Sequence, residues 1–357
     1  MSKFYPLKVS HLFKETADCT VITFEIPIEL QSIFAYKQGQ YLTLKATINH
    51  TEIRRSYSLS SSPLENLWQV AVKKVPHGVF SSYINDQLQV GDIIEVMPPN
   101  GHFNVPIETQ KTKNYIAFAA GSGITPIISI IKTHLKAEPN CTFKLFYLNK
   151  NVHSIIFKET IEQLKNCYLE RFEIFYFLTN EYRPTEWLNG RFSEEKIAFI
   201  TEKVIDVSFT DDCFICGPQD MIFLIQHQLI AAGLSKDTIH FELFNTQITA
   251  QDQKRIEQIM EQKSENTEVT IIDGGKEFHF IMNGDDDTIL DAALAAGADL
   301  PFACKGGVCS TCRCKIVAGT AQMKLNYSLE PFEIANQIIL SCQAVPTSKK
   351  IVVDFGI

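Results

Sequence analysis

Five of the chain's ten cysteines crowd into its last sixth, and their spacing constrains the fold more than any other feature of the sequence. Cys304, Cys309 and Cys312 follow C-x4-C-x2-C, and Cys342 comes after a long gap. Soft thiolates at this spacing are the ligand set of a [2Fe-2S] cluster, so the segment has to fold as a loop to which a distant strand returns the fourth sulfur. Gly306 and Gly307 let the backbone curl tightly and aim N–H groups inward. A four-cysteine zinc site is the competing reading, but zinc favours paired C-x2-C knuckles and only one such pair is present. Cys314, two residues past Cys312, reads as a small residue on the strand that leaves the loop.

A length of 357 residues predicts two or three domains. Residues 1–110 carry short β-rich runs (CTVITFEI, YLTLKATI, LWQVAVKKV, DIIEVM) between Gly, Pro and Asn turns, the pattern of an antiparallel barrel or sandwich. In residues 111–245, apolar strands (NYIAFAA, TFKLFYL, FEIFYFL, DCFICG) alternate with helical segments, which predicts an α/β domain with a parallel sheet. Residues 246–267, rich in Gln, Glu, Lys and Asn, read as a solvated or partly helical linker. Residues 268–357 open with a hairpin closed at Gly274-Gly275 and a helix capped by Asp287 or Thr288, and read as a small α+β module.

With 33 Lys and Arg against 41 Asp and Glu, the net charge of −8 argues against nucleic acid as a partner. Residues 268–357 hold seven Lys and Arg against eleven Asp and Glu, so that module would steer toward a basic acceptor protein. No run approaches ~18 uninterrupted apolar residues, and the first residues lack a signal-peptide pattern. A cytoplasmic protein without a membrane span is the expectation.

Four further strings carry chemistry. Arg55-Ser56-Tyr57-Ser58 follows a strand, and Gly78-Val79-Phe80-Ser81 opens a helix whose free N–H groups suit a phosphate. Gly121, Gly123, Ile124, Thr125 and Pro126 form a G-x-G-x-x-P loop between strand and helix; Pro126 stands where a Rossmann fingerprint has its third glycine. Cys216-Gly217-Pro218 repeats the strand–turn–helix setting, and His240-Phe241-Glu242-Leu243-Phe244 ends the α/β region.

Together these strings resemble the ferredoxin-NADP reductase superfamily, and PFACKGGVCSTCRCKIVAGT with LSCQA resembles a plant-type ferredoxin fused behind it. The order of the parts is that of the oxygenase reductases, and of the phenylacetyl-CoA epoxidase reductase group among them. The resemblance implies a flavin β-barrel, an α/β nucleotide domain and a β-grasp ferredoxin domain, with FAD, a [2Fe-2S] cluster and NADPH or NADH as cofactors. It implies that Arg55, Tyr57, Ser58, Gly78, Val79, Phe80 and Ser81 meet the flavin. Gly121, Gly123, Ile124, Thr125, Pro126, Cys216, Gly217 and Pro218 would meet the nucleotide, and Phe244 would shield the flavin ring. Ser58, Thr125 and Cys216 would border the reacting rings. For a 2'-phosphate the chain offers Lys150, Arg183 and Arg191, with Asn149-Lys150 and Thr179-Asn180 where relatives often carry Asn-Arg and Ser-Arg.

Nicotinamide releases two electrons together and a [2Fe-2S] cluster takes one at a time, so a flavin between them makes the chain an electron wire. The implied function is an NAD(P)H-dependent reductase feeding an oxygenase. A general ferredoxin or flavodoxin reductase serving a desaturase shares every motif, and a non-catalytic redox sensor or a zinc-binding interaction module are the readings from other classes.

Overall fold

The computed structural model describes residues 3–244 and 248–356. The expected boundary at 245 and the first two linker residues, 246 and 247, lie outside the described residues. Two compact units result: one holds Tyr5–Ile53 and Tyr57–Phe244, the other the described residues from 248 onward together with 3–4 and 54–56.

The first unit begins with an antiparallel six-stranded sheet made of β1 (Tyr5–Thr16), β2 (Cys19–Glu25), β3 (Tyr41–Ile48), β4 (Thr51–Ser58), β5 (Trp68–Lys73) and β6 (Ile93–Val96), in the order β4-β3-β6-β1-β2-β5. Helix α1 (Val79–Asp86) buries Phe80 and Ile84 in the same core as Leu7, Leu42 and Val70. Strand β2 is buried at every position but its last. Period-two alternation explains this: Ile22 and Phe24 belong to the barrel core, whereas Cys19 and Val21 belong to the core of the following domain. Ala71 of β5 joins Cys19 there, so the wall is shared.

That domain is a parallel sheet of β7 (Asn114–Ala120), β8 (Thr142–Asn149), β9 (Phe172–Leu178), β10 (Asp212–Gly217) and β11 (Ile239–Leu243), ordered β11-β10-β7-β8-β9. Helices α2 (Ile124–Ala137), α3 (Lys158–Cys167), α4 (Glu194–Lys203) and α5 (Gln219–Ala231) connect the strands. The chain winds outward from β7 through β8 to β9, then crosses back to place β10 on the other side of β7. Strand order therefore reverses between β7 and β10, and the carboxyl ends of strands at such a reversal are where open α/β sheets bind ligands. Ser129 of α2 donates to Ser61 O at 2.6 Å, and the Thr133 and Ser62 hydroxyls meet at 2.8 Å, fixing α2 against the barrel loop.

The second unit starts with α6 (Ala250–Glu261), whose cap is Thr249, so most of the expected linker is a regular helix. A five-stranded sheet follows, composed of β12 (Thr267–Asp273), β13 (Lys276–Met282), β14 (Arg313–Ala318), β16 (Ile338–Leu340) and β18 (Lys350–Asp354), in the order β13-β12-β18-β14-β16. β15 (Ala321–Met323) and β17 (Ala344–Pro346) pair separately. α7 (Ile289–Ala295), capped by Thr288, buries Ile289, Leu290 and Ala293 on the sheet, and the short α8 (Pro331–Ala335) precedes β16. This is a mixed β-grasp arrangement. No helix among the described residues is long and apolar enough to cross a membrane.

Because the barrel and the parallel sheet share one core, a fragment ending at residue 245 is expected to melt in one transition, followed by circular dichroism and tryptophan fluorescence together. Two separated transitions would contradict the shared wall.

Candidate functional site

Two loops meet at the β7/β10 reversal. Gly121–Gly123 forms a single 3-10 turn running straight into α2, so its N–H groups belong to the first turn of a helix and have no partner one turn earlier. Such a terminus attracts anions. Gly121 sits at φ +52, in the left-handed region. Gly123 is required for a different reason: a Cβ there would stand 2.1 Å from the Cys216 carbonyl oxygen. Thr125 is buried and its Oγ1 donates to Ser122 O at 3.0 Å, while Ile124 and Pro126 are buried in α2. Pro126 is the third residue of the helix, where no N–H is needed.

Across the reversal, Cys216 pairs with Ala119 of β7 on one side and Glu242 of β11 on the other. Gly217 follows, where a Cβ would press on Met221 and Ala120, and Pro218 caps α5. Burial, reinforced by Glu242, pushes the Cys216 thiol well above its ordinary range. It is therefore neutral at working pH and is not a nucleophile of the thiolate kind.

The barrel brings Ser58, at the end of β4, to the same place. Its Oγ donates to Glu242 Oε2 at 3.0 Å. Desolvation pushes the Glu242 carboxyl up to about 7, against the lowering effect of the Ser58 hydrogen bond. The Glu242 carboxyl therefore changes its protonation state near neutral pH, next to both Ser58 and Cys216. In the sequence Glu242 carries no role of its own, because an isolated acid on a short strand makes no motif; only the fold sets it beside Ser58.

Tyr57 is partly exposed, with its ring 6.0 Å from that of buried Phe80. Gly78 precedes α1, and a Cβ on it would collide with Ser81 Oγ at 2.5 Å. Val79 is exposed at the first position of the helix. Ser81 is buried; its hydroxyl accepts from Val75 N at 3.1 Å and donates to Gly78 O at 3.2 Å, and Gly78 N donates to Val75 O at 2.9 Å, so the turn ahead of α1 is closed on itself. Arg55 is exposed on β4, and its guanidinium donates to Arg54 O at 2.7 Å. Phe244 is partly buried against the core of the α/β domain. Lys150, directly after β8, and Arg191, beyond the end of β9, are exposed, and Arg183 holds Asn189 through backbone hydrogen bonds.

In the second unit, Cys304 and Cys309 form one sulfur pair, and Cys312 and Cys342 another. The Cys309 thiol and the N–H groups of residues 306, 308 and 309 bring Cys304 down to about 6, while Cys309 is pushed up in return. The Gly306 N–H lies 3.3 Å from Cys304 Sγ, and Gln343 Nε2 lies 3.6 Å from Cys342 Sγ. Lys305, Gly307 and Ser310 all have positive φ, so the loop adopts a conformation that L-residues rarely take unless the surroundings impose it. Among the described residues, no three His, Cys, Asp or Glu side chains converge on a single ion. Two pairs of sulfurs with inward N–H groups fit a two-iron cluster better than one zinc ion. Cys314 is fully buried in the sheet core, opposite Ile339.

Comparison with known proteins agrees with this geometry. Residues 6–105 match the family model described as oxidoreductase FAD-binding domain, 118–227 the oxidoreductase NAD-binding domain, and 271–347 the 2Fe-2S iron-sulfur cluster binding domain. One component of the 1,2-phenylacetyl-CoA epoxidase of Escherichia coli K12 is 41% identical over 99% of this chain and 98% of its own. The chain belongs to the oxygenase reductases. The ferredoxin reductase component of the 3-ketosteroid-9-alpha-monooxygenase of Rhodococcus rhodochrous is 32% identical over 98% of this chain and 96% of its own. In fold the chain matches phthalate dioxygenase reductase at a TM-score of 0.61, with 24% identity over 99% of this chain and 98% of that one. This oxygenase reductase carries FAD-binding, NAD-binding and [2Fe-2S] domains and is an electron-transfer oxidoreductase.

Two outcomes are expected. Between about 4.5, the ordinary value for Glu242, and about 7, the folded protein binds more protons than the unfolded chain, so its stability falls as pH rises through that window and levels off above it. Glu242→Gln, neutral throughout, is expected to flatten that part of a melting-temperature profile and to melt higher than the parent above pH 7; an unchanged slope would contradict the assignment. Gly123→Ala has to push the Cys216 backbone aside and is expected to cost about 1–3 kcal/mol of stability in denaturant unfolding and to weaken nucleotide binding by more than tenfold in calorimetry.

Proposed function

We propose that this reductase takes two electrons from NADPH or NADH and delivers them singly to the oxygenase component of a 1,2-phenylacetyl-CoA epoxidase-like system in the cytoplasm. The observation that carries the delivery step is the arrangement of four cysteine sulfurs in two pairs, on the same chain as a flavin barrel and a dinucleotide loop. Full-length similarity to the Escherichia coli epoxidase component supports the choice of acceptor.

In this reading Cys304, Cys309, Cys312 and Cys342 hold the cluster. Tyr57 packs against the flavin ring with buried Phe80 behind it, and the N–H groups of Val79 and Phe80 meet its phosphates, with Gly78 and Ser81 shaping the turn and Arg55 adding positive charge for the same anion. Gly121–Pro126 binds the dinucleotide pyrophosphate, Cys216-Gly217-Pro218 borders the nicotinamide, and Phe244 covers the flavin. FAD, when bound, supplies the exchange between a two-electron donor and a one-electron acceptor. The chain's own part is to hold the rings in register through Ser58, Thr125 and Cys216, to exclude water, and to keep the Glu242 carboxyl fixed as the acceptor of the Ser58 hydroxyl. We assign the flavin domain to residues 1–110, the nucleotide domain to 111–245, the connector to 246–267 and the ferredoxin domain to 268–357.

Cys309→Ser separates the two halves of the wire. It is expected to leave NAD(P)H-driven ferricyanide reduction near the parent rate and to lower cytochrome c reduction at least tenfold, together with loss of iron. Epoxidation of phenylacetyl-CoA by the purified oxygenase component should require the parent reductase and fail with the variant. A variant that supports epoxidation at the parent rate would remove the cluster from the path, and a parent that does not support it would sink the choice of acceptor.

A further inference from the structure

Tyr147 lies in the middle of β8, fully buried, and belongs to neither loop of the site. Its hydroxyl nevertheless donates to Gly121 O at 2.9 Å and stands 3.4 Å from Ile156 O. The Gly121 carbonyl also accepts from Ile124 N–H, so both its lone pairs are engaged and the peptide that follows it has one orientation. A trans peptide points its N–H opposite to its C=O. With the Gly121 carbonyl drawn into the core, the N–H of Ser122 faces away from the core, toward the mouth of the loop. Ser122 O is taken by Thr125 Oγ1, and Gly123 is held against the Cys216 backbone. The loop's carbonyls are thus turned inward and its N–H groups outward, the orientation an anion needs.

The second contact of the hydroxyl reaches a strained place. Phe157 is a buried aromatic at φ +60, and the peptide before it is held from both sides: its carbonyl lies by Tyr147 Oη, and its N–H donates to Glu15 Oε1 at 2.8 Å. Glu15 is on β1, so one peptide links the barrel, the start of α3 and, through Tyr147, the dinucleotide loop. Burial drives the Tyr147 hydroxyl well above its ordinary range, which keeps its proton in place across the working pH range.

We infer that Tyr147 is a positioning residue for dinucleotide binding, acting through the Gly121 carbonyl to aim the loop's N–H groups at the pyrophosphate. The inference rests on reading Gly121–Pro126 as the pyrophosphate loop. Tyr147→Phe removes one oxygen and keeps the ring that fills the core. Titration of the flavin- and cluster-loaded protein with NADP+ and NAD+ in a calorimeter is expected to show a three- to tenfold larger dissociation constant for the nucleotide that binds the parent, the range one net hydrogen bond covers. Steady-state assays should show KM raised by a similar factor with kcat unchanged, and flavin and iron content equal to the parent. A lower melting temperature with unchanged binding and KM would mean a merely structural hydroxyl and overturns the inference. Gly121→Ala supplies the second arm, since a Cβ there meets nothing within 4 Å and strains only the backbone at φ +52. If Tyr147 acts through Gly121, the double variant loses no more affinity than the weaker-binding single variant; losses that multiply overturn the inference. A parent that binds neither nucleotide overturns the loop reading itself, and the inference with it.

Discussion

The hydrogen bond from Ser58 to Glu242 is the contact on which the flavoprotein part of the molecule turns. It joins the end of a barrel strand to the carboxyl end of the parallel sheet, at the point where strand order reverses. Everything around it serves to keep that meeting fixed. Strands β2 and β5 give alternate side chains to the two cores, α2 is pinned to the barrel loop by Ser129 and Thr133, and Gly123 lets two strand ends close to backbone contact. A site built this way needs no catalytic triad. Rigid shared packing of this kind suits the proposed work of holding two flat rings together with water kept out.

The second unit solves a different problem. A cluster of thiolates and sulfides carries negative charge into a protein, and the loop answers with backbone N–H groups at Cys304 and the Gln343 amide at Cys342. Three residues between Cys304 and Cys312 adopt positive φ, two of them not glycine. That strain is tolerable where a covalent ligand set over-determines the backbone. Asp291, which closes the cap of α7, also accepts from Lys305, so the same helix that fills the core steadies the loop.

Much of this was legible in the sequence because its motifs are local. Cysteine spacing, the G-x-G-x-x-P loop, the R-x-Y-S string and C-G-P each place several interacting groups within a few residues of one another, and alternation of apolar residues separated the barrel from the parallel sheet. What was not legible depends on contacts between distant residues. Glu242 acquires its raised pKa only when the fold desolvates it, and its hydrogen-bond partner Ser58, 184 positions earlier, reaches it only there. Tyr147 reads as one more core aromatic of a strand until its hydroxyl is seen at Gly121. The Ser81 hydroxyl meets Val75 and Gly78, contacts within the turn that the G-x-x-S string alone does not show. The connector was ambiguous for another reason: its isolated Ile and Met residues bury little, so helix α6 depends on its Thr249 cap and on helix-forming Gln, Glu and Lys.

The central claim is that a two-electron donor and a one-electron port are served by one chain. An anaerobic titration of the purified protein with NADPH, and separately with NADH, tests it most directly, followed by visible absorption and electron paramagnetic resonance with iron and acid-labile sulfide assayed on the same sample. The account predicts one flavin with about two irons and two sulfides per chain, and complete bleaching by about three electrons in all, two for the flavin and one for the cluster. A yellow protein that takes up only two electrons and contains no iron would contradict it.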